Sequence, residues 1–215
     1  MGWELLTTLG VGLLLGLRHA LDPDHFIAVS TIASRTGNMW KATVSGMYWG
    51  MGHTLTLLIV GIPLFVMKMA MPEPVQLSME IAVGTMLVLL GWTSLQAFRK
   101  KGSQSKVEMQ ETLPSTQRKF RLRSFLVGMV HGMAGSGAMA VMVMASMHSI
   151  VEALLYLVVF GLGTVAGMSL FAVLIGFPFT YAGRHFARVE RGMGITAGAV
   201  SILFGCYYLQ DTLFL

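Results

Sequence analysis

Apolar residues gather in six long runs along the chain, each near or above the roughly 20 residues that carry a helix across a bilayer, with polar breaks between them. The pattern predicts spans over residues 3–34, 42–66, 77–98, 124–147, 150–177 and 193–214. Turn-forming residues fit the gaps: Arg35-Thr-Gly-Asn38 follows the first span and Pro72-Glu-Pro74 precedes the third. The first run is unlike the others, because the polar cluster Arg18-His-Ala-Leu-Asp-Pro-Asp-His25 interrupts it. Pro23 has no N–H for the His19 carbonyl and its ring clashes there, so this helix is expected to break near Pro23. The expected fold class is an all-α integral membrane protein with six transmembrane helices.

Composition agrees with that reading and narrows it. Charged residues are 12% of the chain and the mean hydropathy is +0.68, whereas a soluble domain carries about twice that charge. One cysteine, Cys206, allows no intramolecular disulfide, CxxC redox pair or cysteine zinc cage. The net charge of +5 is no sign of nucleic acid, because 13 of the 15 Lys and Arg fall in the loops after spans one, three and five. Basic loops stay in the cytoplasm, so both termini are expected outside, in a plasma-membrane protein. Glu4 is the only charge before Arg18, and an N-terminus without a basic region does not read as a cleavable signal. Glu4, Glu73, Glu80, Glu152 and Asp211 then share the outer face, where they would attract cations.

The two halves are alike. Aligning residues 13–29 with 125–141 superposes Gly16 on Gly128 and His19 on His131. Gly50 and Gly52 match Gly161 and Gly163, while Gly84 and Gly91 match Gly198 and Gly205. The expected organisation is a first three-helix repeat over 1–99, a flexible basic cytoplasmic linker over 100–122, and a second three-helix repeat over 123–215. An odd number of spans inverts the second copy, and inverted repeats with a site at their interface are a transporter architecture.

Five ionisable groups within Arg18–His25 lie inside a span, each costing about 2.5–3.5 kcal/mol at a helix centre. His19, Asp22 and His25 fall on one helical face, and the break at Pro23 would let Asp24 turn inward. His25, His53 and His131 stand about 13, 16 and 10 Å from the cytoplasmic ends of their helices, so three spans bring imidazoles to a similar depth. Imidazole with carboxylate and no thiolate suits nickel, cobalt or zinc and suits calcium or magnesium poorly. Met139, Met142, Met144 and Met147 scatter round their helix and read as packing. Arg18 is placed to pair with Asp22 at i+4 or to gate the ligand, and His148 and His185 read as surface residues.

Arg18–His25 resembles the R-H-A-x-D-x-D-H signature of the nickel/cobalt transporter family. Gly52-His53-Thr54 resembles its G-H-[ST] segment, and Gly128–Ser136 is similar to the G-x-x-H-G-x-x-G-S motif of its shorter, urease-accessory-like branch. The resemblance implies a permease for Ni²⁺ or Co²⁺, with His19, Asp22, Asp24 and His25 as signature metal-site residues. The eight spans and the L-G-x-D-T-x-T-E motif of the longer permeases are absent, and Pro23 stands where a small residue is common. The histidine-rich loop of related efflux proteins has no counterpart in residues 100–122, which favours uptake.

The expected function is therefore alternating-access transport of nickel or cobalt, with His19, Asp22, Asp24, His25, His53 and His131 as metal ligands and no enzymatic activity. The metal is cargo and no resident cofactor is expected. Transport should weaken as pH falls through the histidine range, since protons compete for the same nitrogens. Efflux of the same metals, or a bis-histidine haem anchor using His19 or His25 with His131, are the alternatives. The expected partners are the metal ion and the lipid bilayer, with a link to urease maturation through the resemblance; the oligomeric state stays open.

Overall fold

A computed structural model describes residues 2–36, 38–99, 114–132 and 137–214, all helical or in short connections. Eight helices follow one another among the described residues: α1 Gly2–His19, α2 Pro23–Thr36, α3 Met39–Met67, α4 Glu73–Arg99, α5 Pro114–His131, α6 Gly137–Ala145, α7 Ile150–His185 and α8 Ala187–Phe214. Four of them, α3, α4, α7 and α8, are long and apolar enough to cross a membrane unaided. The expected first and fourth spans are instead pairs of shorter helices.

The first break falls as expected, and Pro23 opens α2, the helix position where its missing N–H is harmless. The fourth span was read as continuous, and here the structure differs: α5 stops at His131. Gly132 follows with its α-carbon against the His53 carbonyl oxygen and Thr56, where a Cβ would stand 2.7 Å from each. The linker reading is also corrected, because helix α5 begins at Pro114, so residues 114–122 are helical. Residues 100–113 lie outside the described residues.

The side chains are distributed inside-out relative to a soluble protein. Leu14, Ile59, Leu89, Leu162 and Leu203 face outward, while Ser45, Thr56, Ser94, Thr164 and Ser201 are buried. That distribution fits a bilayer, in which lipid solvates leucine and small or hydroxyl residues let helices approach. With the apolar helices, it makes the chain a multi-pass helical membrane protein.

Glycines set the helix contacts. A Cβ at Gly16 of α1 would collide with the Phe160 carbonyl of α7, and one at Gly128 of α5 with the Trp49 carbonyl of α3. Gly163 of α7 lies against Leu13 and Leu17, and Gly52 of α3 against Phe125 and Met129. Gly84 and Gly91 of α4 pack on Gly205 and Gly198 of α8. Hydroxyls tie the same seams: Thr56 Oγ1 donates to the Met129 carbonyl at 2.9 Å, Ser201 Oγ to the Leu87 carbonyl at 2.8 Å, and Ser45 and Ser124 share a bond of 2.7 Å.

Candidate metal centre

Two helix breaks and one intact helix deliver the polar groups. α1 ends on His19, and a tight turn follows, with the Leu21 and Asp22 amides donating to the Arg18 and His19 carbonyls at 2.8 and 3.1 Å. The Phe26 amide then donates to the Asp22 carbonyl at 2.9 Å, placing Asp24 and His25 in the first turn of α2. His131 closes α5 just as His19 closes α1. His53 comes from the middle of α3, held beside Gly132.

The side chains meet in the interior. His25, His53 and His131 are fully buried, with His19 and Asp24 nearly so. His19 and His53 touch nitrogen to nitrogen, Nε2 to Nε2, at 2.8 Å. Asp24 lies between two rings, with His131 Nε2 at 2.7 Å from Oδ2 and His25 Nδ1 at 3.0 Å from Oδ1. Asp22 Oδ2 is 3.0 Å from His19 Nδ1. Ring centroids of His25 stand 4.5 Å from His19 and 4.2 Å from His131.

Hydrogen bonding assigns the tautomers. A carboxylate only accepts, so in neutral rings the proton sits on His131 Nε2, His25 Nδ1 and His19 Nδ1. His19 Nε2 is then a lone pair, and His53 Nε2–H donates to it. The opposite nitrogens, His25 Nε2, His53 Nδ1 and His131 Nδ1, carry lone pairs, and all three are buried without a hydrogen-bond partner among the described residues. Carboxylates that fix the far nitrogen of an imidazole are the usual outer layer of a metal site.

Donor atoms of His19, His25 and His53 lie within 4.8 Å of one another, as do those of Asp24, His25 and His131. His25 belongs to both groups. A first-row dication binds imidazole at about 2.0–2.1 Å, so donors that share one ion stand at most about 4 Å apart, and each group would have to tighten to hold one. Five of the six residues expected to be ligands are thus brought together. Asp22 belongs to neither group: its side chain is 29% exposed and stands behind His19. Arg18 lies exposed at the end of α1. His148 and His185 are exposed, as expected, with His148 near Glu152 at 4.0 Å and the His185 ring 4.8 Å from that of Tyr181. Met144 is fully buried whereas Met142 is largely exposed, which agrees with packing rather than a methionine ligand row. Met133–Ser136 of the third motif lie outside the described residues.

Two aromatic neighbours escaped the sequence reading. Trp49 stacks on His25 at 5.9 Å and meets His131 edge-on at 5.6 Å, and Phe160 packs on His19 at 5.5 Å. Trp49 precedes His53 by one helical turn, and that spacing was the available signal.

Comparisons with known proteins agree with this chemistry. Residues 5–113 match the family of high-affinity nickel-transport proteins, and residues 64–207 match the transmembrane region of cytochrome c biogenesis proteins. A urease accessory protein, UreH, of Bacillus sp. (strain TB-90) is 37% identical over 97% of this chain and 92% of its own length. Two Arabidopsis thaliana chloroplast proteins, FOR GROWTH AND FERTILITY 1 and 2, are 29% and 27% identical, and the chain spans about half of each, 50% and 48%. No solved structure matches the chain. Identity to UreH over nearly the whole length and the nickel-transport match across the first two histidine motifs lead to one assignment: the chain belongs to the nickel/cobalt transporter family, in its urease-accessory-like branch, a family of transporters and not of enzymes.

Proposed function

We propose that this chain is an uptake permease for Ni²⁺ or Co²⁺ in which His19, His25, His53 and His131 replace part of the ion's hydration shell, Asp24 orients His25 and His131 and offsets the ion's charge, and Asp22 orients His19. The observation that carries it is the convergence of four imidazoles and a carboxylate from α1, α2, α3 and α5 in a buried site. Each such group costs a few kcal/mol at membrane depth, an expense without structural purpose in so glycine-rich a bundle. The UreH relative is a urease accessory protein, so nickel supply to urease assembly is the cellular task we assign.

In this reading the chain crosses the membrane six times, with α1–α2 and α5–α6 as broken spans, the basic helix ends in the cytoplasm and both termini outside. Two inverted three-helix repeats, joined through residues 100–113, surround the site. Paired contacts support the repeat. Gly16 on Phe160 and Gly128 on Trp49 are one contact under the shift that carries His19 to His131 and Gly52 to Gly163. Gly84 on Gly205 and Gly198 on Gly91 are another.

A bis-histidine haem anchor fits less well. The match to cytochrome c biogenesis proteins begins at residue 64 and leaves out His19, His25 and His53. The His25 and His131 rings stand 4.2 Å apart, centroid to centroid, too close for a macrocycle between them.

Radiolabelled nickel accumulation in cells expressing wild type, His19→Ala or His25→Ala tests the proposal. Accumulation should fall to the level of untransformed cells in both variants, and unchanged accumulation in both overturns the site. Loading inverted and right-side-out vesicles separates uptake from efflux.

A further inference from the structure

The histidine cluster is sealed by one aromatic ring on each side. α3 and α7 run antiparallel, with Gly50 against Val165 and Gly161 against Thr54. Trp49 therefore lies one turn from His53 toward Met39, and Phe160 lies on the other side of His53, toward Met67. The two rings are about 9 Å apart along the bundle. Trp49 covers His25 and His131, Phe160 covers His19, and both are buried. They are also counterparts, since Gly128 packs on the Trp49 carbonyl as Gly16 packs on that of Phe160.

What stands behind each ring differs. Behind Phe160, at three and four residues' distance, Leu157 and Tyr156 are fully buried and pack with Met144 in one apolar cluster. Behind Trp49, at the same distances, are Gly46 and Ser45. There α2, α3 and α7 meet in a closed slit lined by small side chains, Ala33, Ala42, Gly46 and Ala172, with no room for a water molecule. The Trp49 indole N–H is buried with no hydrogen-bond partner among the described residues. Hydroxyls of Ser45 and Ser124 stand one turn away on the slit side. Parting of the helices along this slit would let the ring swing toward those hydroxyls and uncover His25.

We propose that Trp49 and Phe160 are the inner and outer gates of the permeation path, and that the ion leaves the histidines through the slit between α2, α3 and α7, past Ser45 and toward Lys41. This rests on the chain being a two-repeat permease. Trp49 is the thin gate, one ring over a closed slit of small side chains; Phe160 is the thick one, backed by Tyr156 and Leu157. The structure is thus closest to the state that opens on the basic face.

Proteoliposomes with an entrapped nickel-sensitive dye test this. Wild type, Trp49→Ala and Phe160→Ala should each give nickel entry that saturates, because one gate remains. The double variant should give entry that rises linearly with nickel, at least ten-fold above wild type at saturating concentration, and Trp49→Phe with Phe160→Trp should restore saturation. A double variant that binds nickel but shows no leak overturns the gates. If the double variant does not fold, Ser45→Cys in a Cys206→Ser background carries the test. An impermeant thiol reagent applied from the Lys41 side should modify it several-fold faster during nickel turnover, and an unchanged rate overturns the path. Wild type without nickel flux overturns the permease reading instead, and reactivity of Ser45→Cys from the Lys41 side then decides whether the slit opens.

Discussion

Asp24→Asn isolates what the central carboxylate does. The side chain keeps its size, but an amide offers one acceptor oxygen and one donor nitrogen where the carboxylate accepted from both His25 Nδ1 and His131 Nε2, at 3.0 and 2.7 Å. One of the two imidazoles must then turn its lone pair toward the amide and its proton toward the metal, so a ligand is lost. Removing an orienting partner of this kind weakens metal binding about 10- to 100-fold. The lost charge adds to this: at about 5 Å and an effective dielectric near 20, a unit negative charge favours a unit positive one by about 3 kcal/mol, roughly another factor of 100. Asp22→Asn should be milder, since Asp22 orients one ring and its side chain is 29% exposed to screening solvent; about ten-fold is expected. Equilibrium dialysis of detergent-purified protein against nickel, with metal quantified by mass spectrometry, ranks the two. Asp24→Asn within about two-fold of wild type, or Asp22→Asn the more damaging, would refute the tautomer argument.

Other consequences are simpler to read. Gly16→Ala and Gly128→Ala each drive a methyl into a backbone carbonyl of the facing helix, and each should cost about 1–3 kcal/mol, visible as a lower melting temperature in detergent. Gly10→Ala and Gly192→Ala meet nothing within 4 Å and should be neutral or stabilise by up to about 1 kcal/mol. His148→Ala should leave nickel accumulation unchanged, because that ring is 95% exposed and belongs to neither donor group. Purified protein should show no Soret band, whereas a stoichiometric one would favour the haem reading.

The membrane class, the long helices and most members of the candidate cluster were legible because their signals are local. Apolar runs mark spans, and ionisable residues inside a run are too costly to be incidental. The break after α1 was legible because Pro23 announces it. The break after His131 was not: no proline marks it, and the glycine that follows, Gly132, packs on α3 as other glycines do inside unbroken helices. The helical start at Pro114 was hidden by composition: residues 114–122 are polar and charged, and charge was read as linker. The inward turn of Asp24 follows from the break at Pro23, but that Asp22 stands behind His19, outside both donor groups, was beyond spacing. On an unbroken helix Asp22 shares a face with His19 and His25, yet once α2 restarts at Pro23 it is Asp24 that reaches His131. Trp49 and Phe160 read as ordinary apolar residues until the folded chain sets them on the imidazoles.

The resting cluster also shows why a dication is the natural occupant. Asp24 and Asp22 are satisfied by imidazole N–H groups and the His19–His53 pair satisfies itself, so the side of the site that faces the protein is complete. The three nitrogens left without partners, on His25, His53 and His131, are lone pairs with no donor to meet. Each buried acceptor left in this way costs about 1–3 kcal/mol. Protonation would relieve one only by placing charge beside other imidazoles and in apolar surroundings, where an unpaired charge is expensive. A Lewis acid relieves those it binds, with the Asp24 carboxylate already in place to offset its charge. The same reasoning disfavours a monovalent alkali ion, for which imidazole is a poor exchange for water. It favours a borderline dication such as nickel or cobalt, which binds imidazole nitrogen strongly.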